Sequence, residues 1–471
     1  ENILIYGDYD VDGTTSVSLV YTFLKTYTPN IDYYVPDRFK EGYGISVEGI
    51  AYAVENKVDL MIALDCGIRS VDITMLAKEK GIDLIICHHL PGDTLPNAVA
   101  VLDPKRKDCE YPFKELSGCG IGFKLIQAFA QDKGLPFESI EDYLDLVVVS
   151  IASDLVDIRG ENRVLAYYGL KKLNSAPRMG LQALIGEVPV GKSFTISDIV
   201  FSIGPKINAA GRIAHARNAV ELLIANDFYE AEKLTDVLHK NNDERKETDS
   251  DITIEAIKQL DEDSSFAAKK STVIYGDQWS KGVLGIVASR LVEQYYKPTV
   301  VFSQIEDQLT GSARSIKNFD IHTAIGQCGD LVEQFGGHMY AAGLTIKKEN
   351  FNAFQERFET IAMKQLEKQE LVPEVEYDIE LPIDAITEKF VEILDRMEPF
   401  GPGNMMPVFR SNGFTRSTRA RVLKEKHLKF TLMNEAGHYF DVIGFSLGDK
   451  MHIIESGKPF DICYSLEYNV F

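Results

Sequence analysis

The sequence predicts a multidomain α/β protein: a parallel-sheet domain, a second α/β domain joined to it by long helices, and a small C-terminal β-barrel. Three observations carry this. Short β-rich apolar runs alternate with amphipathic stretches through residues 1–90. A charge-dense segment nearly free of Gly and Pro runs from Asp227 to Asp263. After Glu370 the pattern shortens to alternating runs broken by turn residues. At 471 residues the chain exceeds one ordinary core, so roughly two to four domains are expected.

Strands are expected at Asn2–Tyr6, Ile31–Val35, Leu60–Leu64 and Ile82–Cys87, with helices such as Thr14–Thr26 and Val47–Glu55 between them. Strands apolar on both faces and separated by helices imply a buried parallel sheet. Residues 140–185 read as mainly helical and Gly191–Ile213 as a loop carrying glycines and a proline. Leu234, Leu238, Ile252, Ile254, Ile257 and Leu260 recur at helical spacing, which predicts one or two long exposed helices as a spacer. The second α/β block has a strand at Ser271–Tyr275, a helix at Leu284–Glu293, a strand at Thr299–Phe302 and a closing helix at Phe351–Gln369. Short strands at Pro407–Arg410, Arg419–Leu423, Leu428–Met433, His438–Phe445 and Phe460–Leu466 suggest a barrel of the OB type.

A formal net charge of −21 argues against a protein that coats nucleic acid by bulk attraction, while leaving room for a local basic groove. The six cysteines are scattered without a CxxC pair, so a zinc ribbon or disulfide framework is not expected and a reducing cytoplasm fits. No apolar run approaches the roughly 20 residues of a membrane span. Glu1 opens directly onto a strand-like run and Phe471 falls inside an alternating one. The expectation is therefore a piece of a longer chain without a leader at Glu1.

The chemistry-bearing residues follow strand ends. Gly7-Asp8-Tyr9-Asp10-Val11-Asp12-Gly13 comes directly after the first strand. If extended, it points its three acids one way, and such a cluster repels itself unless cations compensate it. Asp65 ends Leu60–Leu64; an acid there is a cap, a turn residue or a bridging ligand. His88-His89 leave the fourth strand, and imidazole ligates manganese or zinc. Asp154 lies in an apolar helical stretch, where an unpaired acid is costly. Ends of parallel strands open on one edge, where ligands bind in open α/β folds. A mixed carboxylate and imidazole set there suits a binuclear manganese or magnesium site acting on phosphoryl groups.

In the order GDYDVDG, LDCG, HH and ASD, the chain resembles the DHH phosphoesterase superfamily. Further motifs are similar to those of its single-stranded-DNA-specific 5′→3′ exonucleases. These are Arg38 with Glu41-Gly42-Tyr43-Gly44, Ile207-Asn208-Ala209-Ala210-Gly211-Arg212, and Gly311-Ser312-Ala313-Arg314-Ser315. Gly336 to Gly343 resembles the signature of a DHHA1 domain, and Pro399-Phe400-Gly401-Pro402-Gly403-Asn404 the entry to an OB-like domain.

The resemblance covers essentially the whole chain. It implies a DHH phosphoesterase domain over 1–190, a connecting loop and long helices over 191–265, a DHHA1 domain over 266–370 and a truncated OB-like nucleic-acid-binding domain over 371–471. It further implies two divalent ions, Mn2+ ahead of Mg2+, on Asp10, Asp12, Asp65, His88 and Asp154, with Asp8 at or near them. His89 would face the scissile phosphate, so His89, Asp65 and Asp8 form the implied catalytic set. Arg38, Arg212, Ser312 and Arg314 would hold the 5′ phosphate or backbone, and His338 would sit where the second domain closes over the DNA. The implied activity is hydrolysis of single strands by a two-metal mechanism to 5′-mononucleotides, in DNA repair and recombination. The implied setting is a cytoplasmic monomer working with a single-strand-binding protein and a RecQ-type helicase.

Two departures stand out. Cys87 precedes the histidines where an acid is expected. Either the acid is replaced, which removes support for their orientation, or an acid has dropped out between Cys87 and His88, as the run Ile85-Ile86-Cys87-His88-His89 favours. Ser280 stands where a histidine is expected. The first keeps a catalytically inactive single-strand-binding scaffold in view. A small-substrate oligonucleotide or cyclic-dinucleotide phosphodiesterase is the other alternative, and it needs no C-terminal barrel. The basic run Arg416, Arg419, Arg421, Lys424, Lys426 and Lys429 would line a strand-binding groove, with Phe430 as a stacking platform.

Overall fold

The computed structural model describes the chain except Asp93, residues 187–192, 415–417, 434–436 and 469–471, and the side chains of residues 418 and 419. Of the expectations above, the start of the loop at Gly191, Arg416 and the Arg419 side chain lie outside the described residues.

Strands β1 (Ile3–Gly7), β2 (Ile31–Tyr34), β3 (Leu60–Leu64), β4 (Asp83–Cys87) and β5 (Ala100–Leu102) form an all-parallel sheet in the order β2-β1-β3-β4-β5. Leu4, Ile5, Tyr6, Met61, Ala63 and Leu64 are fully buried, because helices cover both faces as parallel crossovers require. Those crossovers are α1 (Val11–Lys25), α2 (Val47–Glu55) and α3 (Val71–Glu79). The helical part that follows comprises α4 (Gly118–Asp132), α5 (Glu138–Glu141), α6 (Leu144–Ser153), α7 (Gly160–Ser175) and α8 (Met179–Ile185). Helix α6 is buried all round, as its run Leu146-Val147-Val148-Val149 dictates.

The expected loop over 191–213 is corrected. Within it lie α9 (Ile196–Asp198), a π-helical turn at Ile199–Ile203 and α10 (Gly204–Ile213). Thr195 and Asp198 make a reciprocal capping box that starts this run, and Pro205 sits in the first turn of α10, where a missing N–H costs nothing. Helix α11 (Arg217–Ile224) leads into α12 (Phe228–Glu262), a single helix of 35 residues. Ala231 and Leu238 of α12 join the core around the first sheet, while Ile252, Ala256 and Leu260 join a core beside the second.

The second sheet runs β6-β7-β8-β10-β9, from β6 (Thr272–Asp277), β7 (Thr299–Ile305), β8 (Gln308–Arg314), β9 (Val332–His338) and β10 (Ala341–Lys347). Here β6 and β7 pair in parallel, whereas β8, β10 and β9 run antiparallel. Helices α13 (Leu284–Tyr295), α14 (Ile321–Gly326) and α15 (Phe351–Gln365) pack on it. Asp249 of α12, fully buried, meets Arg245 at 2.9 Å and Arg290 of α13, which locks the long helix to this unit.

The C-terminal part contains β11 (Ile379–Glu380), α16 (Glu388–Asp395), β12 (Phe409–Phe414), β13 (Thr418–Leu423), β14 (His427–Met433), β15 (Tyr439–Gly444), α17 (Met451–Glu455) and β16 (Phe460–Tyr464). They form two three-stranded sheets around a small core of Leu428, Phe430 and Leu432. Phe430 is 4% exposed, so the expected stacking platform is corrected to a core residue. The preceding turn docks on the first unit through Ile158 N–H to the Pro402 carbonyl and Arg163 to the Met397 carbonyl.

Candidate metal centre and anion cleft

The acid loop leaves β1 at the carboxyl edge of the first sheet, but it does not stay extended. Helix α1 begins at Val11 because Asp10 is its N-cap, accepting from Gly13 N–H at 2.9 Å. Asp12 therefore lies in the first helical turn rather than in line with Asp8 and Asp10. Its carboxylate accepts from Gly118 N–H at 2.6 Å, Cys119 N–H at 2.7 Å and the Ser150 hydroxyl at 2.7 Å. The start of α4 thus serves as an anion site for Asp12. Gly118 is required there: a Cβ would stand 2.8 Å from Asp65 Oδ1 and 2.9 Å from Asp12 Oδ2.

Asp65, just past β3, adopts a left-handed backbone with φ of 56°. Its N–H donates to the Cys87 carbonyl at 2.8 Å, and the Tyr43 hydroxyl donates to its own carbonyl at 3.2 Å. Two groups of ligand atoms result, each within 4.8 Å: Asp12, Asp65 and His89, and Asp8, Asp10 and Asp65. Asp65 belongs to both. Asp154, the C-cap of α6, approaches His89 Nε2 at 3.6 Å.

The histidines divide differently from the expectation. His89 Nε2 lies 3.3 Å from Asp65 and 3.7 Å from Asp12. His88 turns away: its Nδ1 accepts from Ile68 N–H at 3.4 Å and its Nε2 meets the Tyr43 hydroxyl at 3.3 Å. His88 N–H still bonds the carbonyl of Leu102, the last residue of β5, so the chain remains extended, and adjacent side chains in extended chain point opposite ways. One of the two can reach the acids, and it is His89. Burial, then the neighbouring His89 and Arg69, lowers the His88 pKa to about 3, so its ring is neutral at pH 7.

Burial raises the pKa of Asp8, Asp10 and Asp65 above the usual carboxylate range, and the neighbouring acids raise it further. Asp154 is pushed up to about 9 by burial and by Asp12 and Asp10. Asp8 Oδ1 and His89 Nδ1 are buried without a hydrogen-bond partner. Self-repelling carboxylates with an orphaned oxygen and an imidazole among them are the donor set that hard divalent cations satisfy.

A cluster of arginines adjoins the acids. Arg38 stacks over the Tyr9 ring at 5.0 Å. Arg212 at the end of α10 donates to the Gly282 carbonyl at 2.8 Å, ahead of α13. Arg314 donates to the Ser312 hydroxyl at 3.1 Å, and both stand over the first turn of α13, where a Cβ at Gly285 would lie 2.7 Å from Arg314 Nη2. Burial, then Arg38, Arg245 and Arg314, lowers the Arg212 pKa to about 10. Clustered guanidiniums at a helix N-terminus make an anion site. His338 is not brought into this group: it is exposed at the end of β9, its Nδ1 accepting from Tyr340 N–H at 3.3 Å. Sequence reasoning missed Gly118 and Ser150; the helix start Ser117-Gly118-Cys119-Gly120 was the available signal.

Comparison with known proteins follows the same division. Residues 2–151 match the DHH family, N-terminal domain; 266–364 match the DHHA1 domain; 377–471 match the RecJ OB domain. The single-stranded-DNA-specific exonuclease RecJ of Bacillus subtilis is 36% identical across 100% of this chain, which spans 59% of that relative's length. The Haemophilus influenzae protein of that name is 34% identical, with 100% of this chain and 85% of the relative covered. The crystal structure of RecJ in complex with Mn2+ from Thermus thermophilus superposes with a TM-score of 0.84 at 28% identity, covering 100% of this chain and 66% of that one.

Proposed function

The chain belongs to the RecJ family, and we propose that it is a metal-dependent exonuclease that hydrolyses single-stranded DNA from the 5′ end to 5′-mononucleotides. The observation that supports this most is the sharing of Asp65 between two ligand groups, beside an arginine-lined helix N-terminus.

In this reading Asp8, Asp10 and Asp65 hold one divalent ion, and Asp12, Asp65, His89 and Asp154 hold the other; Mn2+ suits the mixed set, with Mg2+ also compatible. His89 replaces His88 as ligand. Divalent ions held there would supply Lewis acidity toward a phosphoryl oxygen and toward water. The protein's own groups do the remainder. Arg314, Ser312 and Arg212 grip the 5′ phosphate, Arg38 holds the next stretch of backbone, and Asp65 keeps the two acid groups in fixed relation. His338 and its hairpin meet the strand as the second unit closes over it. The lysines of the C-terminal barrel guide the strand electrostatically.

The proposed domain boundaries are 1–190, 191–265, 266–370 and 371–471. Single-strand-binding protein and a RecQ-type helicase are the proposed partners, in the cytoplasm, with the chain a monomer. Among the described residues no helix is long and apolar enough to cross a membrane.

The test uses 5′-phosphorylated, 3′-labelled single-stranded DNA with Mn2+, the parent beside Asp65→Asn. Stepwise shortening from the 5′ end that disappears in the variant is the expected result. Internal cuts, or shortening from the 3′ end, refute the polarity. One observation favours a second reading: Cys87 stands in place of an acid. Tight strand binding by the parent without any cleavage would mark an inactive scaffold.

A further inference from the structure

Asn208 belongs to a motif whose arginine has a role above but whose asparagine has none. Its side-chain oxygen accepts from Val11 N–H at 3.2 Å, across 197 positions of sequence. Val11 is the first residue of α1, directly between Asp10 and Asp12. The first N–H groups of a helix have no partner within it. Asp10 satisfies Gly13 with its side chain, and Thr14 N–H bonds the Asp10 carbonyl. The Val11 amide is supplied from outside, by α10.

A second contact fixes the same face of α10 on the acid loop. Gly211, three residues after Asn208 and so on the same side of the helix, lies against the loop backbone: a Cβ there would stand 2.7 Å from the Tyr9 carbonyl oxygen. Asn208 and Gly211 thus seat α10 along residues 9–11. Val11, whose amide Asn208 holds, stands between one member of each acid group, Asp10 of one and Asp12 of the other.

We infer that Asn208 is a positioning residue that sets the spacing of the two acid groups by pinning the Val11 peptide. Its part is played through the backbone that carries the acids. Partners that orient metal ligands from behind are worth substantial affinity, because each ligand oxygen must arrive within a few tenths of an ångström. The inference rests on the reading that these acids hold divalent ions.

The experiment measures Mn2+ binding to the full chain by titration calorimetry, with unfolding temperature read on metal-free samples. Asn208→Ala is expected to bind about tenfold more weakly, the lower end for loss of an outer partner, with its metal-free unfolding temperature lowered by no more than the one lost hydrogen bond to Val11 N–H accounts for. Asn208→Asp, which keeps an acceptor oxygen at the same reach, is expected to recover binding to within about threefold of the parent. An alanine variant that binds as tightly as the parent overturns the inference, as does an aspartate variant as weak as alanine. A metal-free unfolding temperature that falls in step with the affinity in both variants also overturns it, since the residue is then merely structural. A parent that takes up no Mn2+ overturns the metal-site reading and this inference with it.

Discussion

The two five-stranded sheets gather their functional residues by different means. In the first, all strands are parallel, so their carboxyl ends open on one edge. Asp8 after β1, Asp65 after β3 and His89 after β4 meet there although they are far apart in sequence. In the second, β8, β10 and β9 alternate in direction, and residues meet by register: Arg314 lies opposite Ala341, which lies opposite His338. The first sheet collects negative charge that its own residues do not neutralise, and the second presents positive charge over α13. A parallel sheet is suited to building a compact ligand cage, and an antiparallel one to laying contacts along a strand.

Four predictions probe this contrast, in decreasing size of effect. Asp65→Asn removes the carboxylate common to both acid groups while tolerating the left-handed backbone. Exonuclease activity should fall by more than the roughly 10–100-fold that an outer partner costs. Retained activity in a single-turnover assay would show that the parallel edge is not one cage. Gly118→Ala drives a methyl against Asp65 and Asp12. It should lower activity by about 10–100-fold and stability by about 1–3 kcal/mol, read by turnover and by urea unfolding. An unchanged rate would mean that the start of α4 does not set the acids.

Arg314→Lys tests the second sheet. Losing the planar fork should raise KM for 5′-phosphorylated strands by about tenfold, roughly 1.4 kcal/mol, with kcat and unphosphorylated substrate little changed. Equal loss on both substrates would remove the phosphate from the account. The smallest effect concerns pH. Asp154 has its folded pKa raised to about 9, against about 3.9 unfolded. The stability it confers as a neutral acid is present in full below about pH 4 and is lost as pH rises through 9. The unfolding temperature of the metal-free protein should therefore fall between pH 6 and 9, by about 1–2 °C per kcal/mol for a unit of this size, and Mn2+ should restore more at the upper end. A flat profile without metal would contradict the buried repulsion.

The first sheet was the more legible because its signals are local. Apolar runs followed by Asp or His mark strand ends directly, and β3 matches its expected bounds at Leu60–Leu64. The helical start at Val11 was hidden because an N-cap aspartate and a ligand aspartate look alike in sequence. The division between His88 and His89 depends on how far β4 stays extended, which His88 N–H to Leu102 settles and composition does not. In the second sheet β8, β9 and β10 carry glycines that read as turns, so their motif residues were found while their strands were not. Residues 191–213 failed for a related reason: Pro205 and the glycines fit a helix once Thr195 and Asp198 have capped the run that leads into it. Phe430 beside lysines looked like a platform; its burial depends on β14 being the middle strand of its sheet.

The long helix α12 has one more consequence. Its amino-terminal half completes the core around the first sheet and its carboxyl-terminal half completes a core beside the second, with Asp249 tied to α13 between them. Neither sheet can shed its half of that helix without fraying the other's packing. Heat should therefore melt the two as a single cooperative unit, and the cage and the cleft should be lost together rather than in turn.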